Sequence, residues 1–271
     1  MYNSKTLILT ETEFASNEKR LSICLRTNGF SFSEISLSGT LLTYGEAVGT
    51  HADTMTGVIG DVKDFFNSVG IRPFGYKDMQ LMLLSDENVW VPDELYSPSY
   101  NQQYLSLVGA DAESLMTAHC SALGSTAVFA ASDKQALAFK VALPGLNVVN
   151  QHVRMASLGL EKCSMDHPVL LINWREGKVD FAAFSEGKYI FGNTISQRSD
   201  NEVLYHTIEV LKSYQLADKG TELLLCGEVD RQRFSLLRPY FPVASLFTGC
   251  HSSFINPQFR TLHTYRNALI M

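Results

Sequence analysis

The chain has 271 residues, of which 45% are hydrophobic and 18% are charged, and its formal net charge is −6. This is the composition of a folded globular protein, and the length suits one large domain or two smaller ones. The negative charge leaves no overall positive field for a nucleic acid backbone. We therefore expect no nucleic acid partner.

The five cysteines lie far apart and include no Cys-x-x-Cys pair. This spacing argues against a disulfide framework or a zinc ribbon and is typical of buried thiols in a reducing compartment. Neither the N-terminus nor any later stretch has an apolar run long enough for a signal peptide or a membrane helix. We expect a cytoplasmic protein with no transmembrane segment.

Three antiparallel strands are predicted first, near residues 20–27, 30–37 and 40–47. They are separated by Asn28-Gly29 and Ser38-Gly39, and Asn-Gly is a strong hairpin signal because both residues tolerate positive φ. A helix follows with Asp53 as its N-cap. Its apolar face would carry Met55, Ile59, Val62, Phe66 and Val69. A buried strand is predicted next, over residues 79–84.

Residues 85–165 are expected to hold an elaborated segment, around 85–145. Two alternating strands are predicted near 114–121 and 126–131, with helical stretches after Ser132 and Asn147. The Tyr-rich stretch from 93 to 104 fits two interpretations. It could form an exposed recognition surface, or a half-buried edge whose hydroxyl groups are satisfied.

The second part of the chain has the same plan, with strands predicted near 168–174, 178–184 and 187–196. A helix follows with a Ser199-x-x-Glu202 capping box and a stripe of Leu204, Ile208 and Leu211. The run "TELLLCGE" predicts a strand covered on both faces. The remaining predictions are a helix from Asp230 to about Tyr240, a strand near 243–247, and a final helix capped by Asn256.

A constant offset relates the two parts. Gly29 and Gly177, Gly39 and Gly187, and the helix starts near Asp53 and Asn201 are each 148 residues apart. A shared offset at three such positions indicates an internal repeat, although two β-meanders followed by helices can also align by chance. We predict two βββαβαβα units, at residues 1–165 and 166–271, in an α/β fold with mixed sheets and a cleft between the units.

Several motifs resemble a known family. They are "LSICLRTNGFSFSEI", "VPDELY", and "VLLINWREGKVDFAAFSEGKYIFGNTI" paired with "TELLLCGEV". They resemble an uncharacterised bacterial family common in Bacteroidetes, domain-of-unknown-function family 3822. The paired βββαβαβα units are similar to the actin, sugar kinase and Hsp70 ATPase superfamily, and most to its PilM-like branch. This resemblance implies an actin-like ATPase, ribonuclease H-like fold.

The resemblance also implies where phosphate and metal would bind. In active members of that superfamily each unit opens with a strand ending in Asp-x-Gly, whose Asp holds a metal and whose Gly-rich hairpin approaches the phosphates. The second unit has Asn173, Trp174 and Arg175 there, and keeps Gly177 in the turn. An amide can coordinate a metal weakly, but it lacks the charge that a hard cation prefers.

The other two phosphate and nucleotide positions are also altered. In the first unit, Leu25 and Arg26 stand where an acidic residue is expected. The Gly-Gly turn expected after the later strand reads Cys226-Gly227-Glu228, and the carboxylate there disfavours a polyphosphate ligand. We therefore expect no catalytic residues, no metal and no cofactor, with a degenerate cleft.

Other catalytic patterns are weaker. No Gly-x-Ser-x-Gly elbow is present, and the seven histidines are scattered. Cys250 and His251 are adjacent, and neighbours on a strand point to opposite faces, so we interpret them as a buried thiol beside a surface histidine. Trp174 and Arg175 would suit a protein interface, but we favour a structural role, in which Trp174 packs between the two units and Arg175 forms an ordinary salt bridge.

Three functions remain open. The first is a non-catalytic protein of actin-like ATPase fold that binds a protein partner or a second copy of itself. The second is a divergent ATPase or kinase that uses Asp180 or Glu176 in the interdomain cleft. The third is a small-molecule binding module with an unrelated ligand in that cleft.

Overall fold

The computed structural model describes residues 3–9, 18–26, 29–49, 55–72, 74–111, 114–131, 133–248 and 268–270. The chain begins with β1 (Asn3–Leu9), which was not predicted. The three predicted strands are confirmed as β2 (Lys19–Arg26), β3 (Gly29–Ser36) and β4 (Leu41–Val48). The predicted helix and the strand after it are confirmed as α1 (Met55–Ser68) and β5 (Asp78–Leu83). The predicted cap Asp53 lies outside the described residues.

An inserted segment then forms a separate small antiparallel sheet. Its elements are β6 (Asn88–Pro92), a 3-10 turn (Pro98–Tyr100), α2 (Asn101–Ser106), β7 (Leu115–Cys120) and β8 (Ser125–Ala130). The strand order of this sheet is β6-β8-β7. The two strands predicted near 114–121 and 126–131 are confirmed as β7 and β8, whereas β6 was missed.

The chain returns to the main fold through α3 (Asp133–Ala142), β9 (Asn147–Asn150) and α4 (Gln151–Lys162). The helical stretch predicted after Asn147 is confirmed as α4, but the short strand β9 precedes it and pairs in parallel with β5. Asn150 caps α4 instead, and its side-chain oxygen accepts a hydrogen bond from the Val153 amide at 2.8 Å.

The second part contains β10 (Val169–Arg175), β11 (Lys178–Ser185), β12 (Lys188–Ser196), α5 (Asp200–Ser213), β13 (Glu222–Gly227), α6 (Arg231–Leu237) and β14 (Ser245–Leu246). These confirm the predicted elements up to residue 247. The predicted final helix from Asn256 lies outside the described residues. The predicted capping box is not formed, because the Glu202 carboxylate accepts from the amide of Arg198, the residue before the N-cap, and the Ser199 side chain makes no capping bond.

Two large mixed sheets organise the described residues. The N-terminal sheet has the order β1-β4-β3-β2-β5-β9, and the C-terminal sheet has the order β12-β11-β10-β13-β14. Apart from the extra edge strand β1, the two orders correspond strand for strand. In both sheets three antiparallel strands precede two parallel ones.

The offset between the two parts is not constant, which corrects the value of 148. Arg26 pairs with Gly29 across the first hairpin, and Arg175 pairs with Lys178 across the second, 149 residues later. Because side chains alternate along a strand, a slip of one residue reverses the face of every side chain.

Three apolar clusters lie among the described residues. One packs α1 and α3 on the N-terminal sheet, and a second packs α5 and α6 on the C-terminal sheet. The third, which we call the middle layer, joins the two sheets through α4 and residues 268–270. Its members include Cys24 and Met82 from the N-terminal sheet, Met155 from α4, and Leu171 from the C-terminal sheet.

Candidate functional site

A cavity of about 700 Å³ lies where the carboxyl ends of β2 and β5 face those of β10 and β13. This is where open α/β sheets commonly bind ligands. Among the described residues, its walls come from both sheets and from residues 269–270. Five of the six predicted site residues line it, namely Asn173, Trp174, Arg175, Gly227 and Glu228.

The sixth, Gly177, is not among the lining residues. It forms the β10–β11 turn with a φ of +70°, and a Cβ there would meet no described atom within 4 Å. Its role is to supply the left-handed conformation that lets the hairpin turn tightly.

The wall from the N-terminal sheet differs from the prediction. Leu25 points into the sheet's own core, while Cys24 and Arg26 line the cavity. The hairpin register shows that Cys24, rather than Leu25, occupies the position equivalent to Asn173 in the second sheet. Burial raises the pKa of the Cys24 thiol to about 11, against the opposing effect of nearby Arg26, so this thiol stays protonated at neutral pH.

Next to the cavity, buried Asp180 is the centre of a polar cluster. We call it the Asp180 cluster, and its members are Asp180, Arg175, Asn173, Thr194, Gln151 and His152. Arg175 donates to both carboxylate oxygens, at 2.8 Å each, and Asn173 donates its amide at 2.8 Å. Thr194 donates its hydroxyl at 2.7 Å. The side chain of Asp180 is completely buried.

The first turn of α4 completes the Asp180 cluster from the opposite side. The Gln151 amide donates to Asp180 at 3.3 Å and also donates to the Ser85 carbonyl oxygen, while its own oxygen accepts from the Ser85 amide at 3.0 Å. Asp86, the next residue, accepts from Arg175 at 3.1 Å and pairs with Lys178. The cluster therefore ties the loop after β5 and the helix α4 to the C-terminal sheet.

His152 belongs to the Asp180 cluster as a neutral ring. Its Nε2 lies 2.9 Å from the Thr194 hydroxyl oxygen. Since Thr194 gives its one hydrogen to Asp180, His152 must donate from Nε2, which leaves Nδ1 bare. That nitrogen has no partner among the described residues. Burial lowers the pKa of His152, an effect that Asp180 opposes and Arg175 reinforces.

The charge state of Asp180 follows from its partners. Burial alone would raise the pKa of its carboxyl group. The nearby Arg175 guanidinium, with the hydrogen bonds that Arg175 and Thr194 donate, outweighs burial and holds that pKa below its usual value. Asp180 is therefore an ionised carboxylate whose oxygens are already occupied by donors.

Asn173 is fixed as firmly as Asp180. Its amide nitrogen donates to Asp180, and its amide oxygen accepts from the Cys226 thiol at 3.5 Å. Gly227 packs against the same residues, because a Cβ there would lie 2.0 Å from the Trp174 carbonyl oxygen and 2.7 Å from the Asn173 oxygen. The Glu228 amide donates to that Trp174 carbonyl at 2.9 Å.

Trp174 belongs to the core of the C-terminal sheet and not to an interface. Its side chain is 1% exposed and packs in the same cluster as Ile172 and Val179. The Arg233 guanidinium lies 5.9 Å from the centre of its ring. The interpretations of Trp174 as an interface residue or as packing between the two units are therefore both wrong.

The two acidic residues considered for a divergent ATPase or kinase, Asp180 and Glu176, lie in different surroundings. Glu176 lines the cavity, but Asp180 does not, since it is buried in the Asp180 cluster. Within the described part of the chain, no three His, Cys, Asp or Glu side chains are grouped to hold a metal ion. Cys250 and His251 lie outside the described residues.

Four functional-site residues escaped the sequence interpretation, namely Gln151, His152, Thr194 and Asp86. No motif or spacing marks them. The sequence could have identified Asn150 as an N-cap before an apolar helix. It could not have shown that the two polar residues after Asn150 are buried against Asp180.

The Tyr-rich stretch combines both of its interpretations. Tyr104 donates its hydroxyl to the Leu95 carbonyl at 2.7 Å and stacks with Tyr96, whereas Tyr100 is 55% exposed. None of the helices in the described ranges has both the length and the apolar character needed to cross a membrane.

Comparison with solved structures places the fold. A Bacteroides thetaiotaomicron VPI-5482 protein with actin-like ATPase fold and unknown function has a TM-score of 0.67 and 18% identity, over 85% of this chain and 91% of that one. The PilM–PilN type IV pilus biogenesis complex has a TM-score of 0.50 and 10% identity, over 94% of this chain and 99% of that one. The ethanolamine utilization protein EutJ from Carboxydothermus hydrogenoformans has a TM-score of 0.52 and 11% identity, over 97% of this chain and 93% of that one.

These identities show the fold alone, and the fold is that of actin-like ATPases, as the sequence predicted. Among curated proteins, none matches this sequence. A family model described as "Protein of unknown function (DUF3822)" matches residues 10–243. With most of its length covered by that model, the chain belongs to the DUF3822 family.

Proposed function

We propose that this chain is a non-catalytic, cytoplasmic protein of actin-like ATPase fold, a pseudo-ATPase that acts by binding another protein. We further propose that it consists of two duplicated units, residues 1–165 and 166–271. The matching strand orders of the two large sheets support this division.

The observation that carries the proposal is that the carboxylate oxygens of Asp180 are already occupied by hydrogen-bond donors. Phosphoryl transfer depends on positioning and on charge neutralisation by a bound cation. Asp180 is ionised and lies beside the predicted metal position at Asn173, with which it pairs across the hairpin. Its oxygens, however, accept from Arg175, Asn173, Thr194 and Gln151. A divalent cation would have to displace a guanidinium held at 2.8 Å.

The other carboxylates near the cavity do not replace Asp180. Glu46, Glu176 and Glu228 line the walls on three different segments. Glu46 accepts from the Tyr44 hydroxyl at 2.6 Å. Three carboxylates facing one cavity would repel the phosphates of a nucleotide unless a cation lay between them.

A protein partner is supported by a structural relative. PilM, one of the solved structures with this fold, is seen in a complex with PilN. In our proposal the fold serves here, too, as a platform for a second protein. The Asp180 cluster then has a mechanical role, since it holds α4 and the C-terminal sheet in one arrangement.

Calorimetric titration with ATP and Mg²⁺ tests the proposal. We expect no heat of binding at millimolar nucleotide and no phosphate release above that of buffer. Should binding appear, Glu176→Ala and Glu228→Gln would be compared with Glu209→Ala, an exposed residue on α5. Loss of binding in the first two variants alone would overturn the proposal and assign ATP to the cavity.

A second candidate function has its own observation in its favour. The cavity volume of about 700 Å³ is within the range of ordinary ligand pockets. A divergent ATPase or kinase, or a binding module for another small molecule, would use this space. Thermal unfolding in the presence of nucleotides, sugars and sugar phosphates tests it, and a rise in Tm that Glu228→Gln abolishes would favour it.

A further inference from the structure

The inserted segment carries the whole charge imbalance of the chain. Residues 85–131 contain six of the 28 acidic residues and none of the 22 basic ones. The rest of the chain is therefore balanced at 22 of each sign. No Lys or Arg occurs between Lys77 and Lys134. This segregation leaves an excess of negative charge on one part of an otherwise neutral molecule, even though Arg175 and Lys178 compensate the charge of Asp86.

The same segment exposes a group of large apolar side chains. Leu95 is 70% exposed, Tyr100 55%, Leu107 78% and Val108 51%. Tyr100 ends the 3-10 turn, Tyr104 lies on α2, and Leu107 and Val108 directly follow α2, so these side chains belong to one short stretch of the segment. We call Leu95, Tyr100, Tyr104, Leu107 and Val108 the Tyr100 face.

The aromatic part of the Tyr100 face is held in place before any partner arrives. The Tyr104 ring lies edge-on to Tyr100, with 6.4 Å between ring centres, and its hydroxyl bonds to the Leu95 carbonyl oxygen. On the other side of α2, Leu105 is completely buried against the small sheet. Fixed aromatic and aliphatic side chains bind with a small loss of conformational entropy.

Carboxylates flank the Tyr100 face. Glu94 is exposed and immediately precedes Leu95, and Asp111 accepts from the Gln102 amide on α2 at 2.9 Å. Asp93 accepts from His119 at 2.9 Å and from Thr126 at 3.2 Å. No described lysine or arginine belongs to this segment, so no basic side chain from it shields the acidic groups.

From this arrangement we propose that the Tyr100 face is a docking site for a protein segment with apolar anchors flanked by lysine or arginine. The proposal deepens the protein-binding function given above and rests on it. Exposed apolar groups with a charged rim are typical of protein interaction sites. Complementary charge would speed association and select the partner.

The charge also disfavours other occupants. A nucleic acid or an anionic membrane would be repelled by the carboxylates around the Tyr100 face. A second copy of the chain, meeting this face with its own, would bring together two acidic segments without a basic residue. A basic protein segment is the occupant that satisfies both the apolar and the charged groups.

Binding to model peptides tests the proposal. The probes are an 18-residue helical peptide of Leu and Lys with apolar residues at i, i+3, i+4 and i+7, its Leu–Glu counterpart, and a Ser–Lys peptide of equal charge. Fluorescence anisotropy on the full chain should show binding of the Leu–Lys peptide alone. We expect about tenfold weaker binding by Leu107→Ser/Val108→Ser and by Glu94→Lys/Asp111→Lys, and a loss of affinity with added salt.

Matched controls separate this site from general stickiness. Tyr240→Ser/Val243→Ser removes side chains of similar exposure, 60% and 54%, from the second part of the chain. Glu209→Lys reverses an exposed charge on α5. Both should bind the Leu–Lys peptide like the wild type.

Four results would overturn the proposal. The first is a loss of Leu–Lys peptide affinity in the control variants equal to that in the Tyr100-face variants. The second and third are binding of the Ser–Lys or Leu–Glu peptide, or of anionic lipid vesicles, as tight as that of the Leu–Lys peptide. The fourth is a dimer in sedimentation that Leu107→Ser/Val108→Ser dissociates. The outcome is independent of the nucleotide test. If ATP binds the cavity, the non-catalytic function fails although the peptide data stand, and unaltered peptide binding by the Tyr100-face variants refutes only the docking site.

Discussion

Replacing Asp180 with alanine would remove the carboxylate at the centre of the Asp180 cluster. In the native protein this carboxylate is completely buried and is bound twice by Arg175. The alanine variant leaves the arginine charge with less compensation. It also leaves the donors of Asn173 and Thr194 without their acceptor, at a site where water cannot easily replace it.

The expected cost can be estimated from the geometry. Breaking a buried ion pair by removing one partner typically costs about 3–5 kcal/mol. The Arg175 side chain remains 13% exposed and keeps Asp86 at 3.1 Å, so part of its charge stays compensated. We therefore expect the lower end, about 3 kcal/mol in the free energy of unfolding, or a fall in Tm of roughly 6–12 °C.

Urea unfolding followed by circular dichroism measures this cost. Lys178→Ala is the matched control, because Lys178 pairs with Asp86 at a site that is 35% exposed and is expected to contribute under about 1 kcal/mol. The double variant Arg175→Met/Asp180→Leu should recover at least half of the loss, since an apolar pair leaves no buried charge.

Two results would refute this reasoning. One is an Asp180→Ala variant that unfolds at the same urea concentration as the wild type. The other is a loss in Lys178→Ala as large as that in Asp180→Ala. Either would mean that the Asp180 cluster contributes little to holding α4 against the C-terminal sheet.

Two further predictions concern a glycine and a histidine. Gly227→Ala would place a Cβ 2.0 Å from the Trp174 carbonyl oxygen at a φ of +81°, whereas Gly177→Ala at +70° meets no described atom within 4 Å. We expect the free energy of unfolding to fall by more than about 3 kcal/mol in Gly227→Ala. In Gly177→Ala it should fall by about 1–2 kcal/mol, the cost of the left-handed conformation alone. Equal losses in urea unfolding would contradict the packing argument. The pKa of His152 is lowered by burial, so the unfolded chain binds its proton first as the pH falls below about 6.5. Stability should therefore decline from pH 6.5 towards pH 5, and less steeply in His152→Gln, as measured by the urea midpoint at each pH; an unchanged slope would exclude His152 as the cause.

Much of the fold could be predicted because it depends on local signals. The sequence Asn28-Gly29 and the glycine at 177 signal the two hairpins, and the apolar run of β13 marks a covered strand. The short strands β6 and β9 were missed because a few residues carry too little periodicity to identify a strand. Within α5 the predicted stripe is confirmed at Leu211, whereas the other buried positions, Val203, Thr207 and Val210, lie beside Leu204 and Ile208.

The candidate site was only partly predictable, because a strand buried on both faces does not reveal which residues face which way. An offset of 148, taken from the glycines, placed Leu25 at the cavity, whereas the hairpin register of 149 places Cys24 there. Gln151 and His152 reach Asp180 through tertiary packing of α4, which no local pattern encodes. The replacement of Asp-x-Gly by Asn173, Trp174 and Arg175 was visible in the sequence, but the binding of Arg175 to Asp180 was not.

The middle layer has a consequence for how the chain folds. Ala268, Leu269 and Ile270 are almost completely buried in it, and the Ile270 carbonyl oxygen accepts from Ser33, 237 residues earlier. Arg154 on α4 similarly donates to the Leu269 carbonyl at 2.9 Å. On the ribosome, the cores on α1 and α5 can form while synthesis continues, but these contacts must wait until residue 270 has emerged. We therefore expect the contacts that residues 268–270 make with both sheets to form in a late, non-local step of folding, after each sheet has formed its own core.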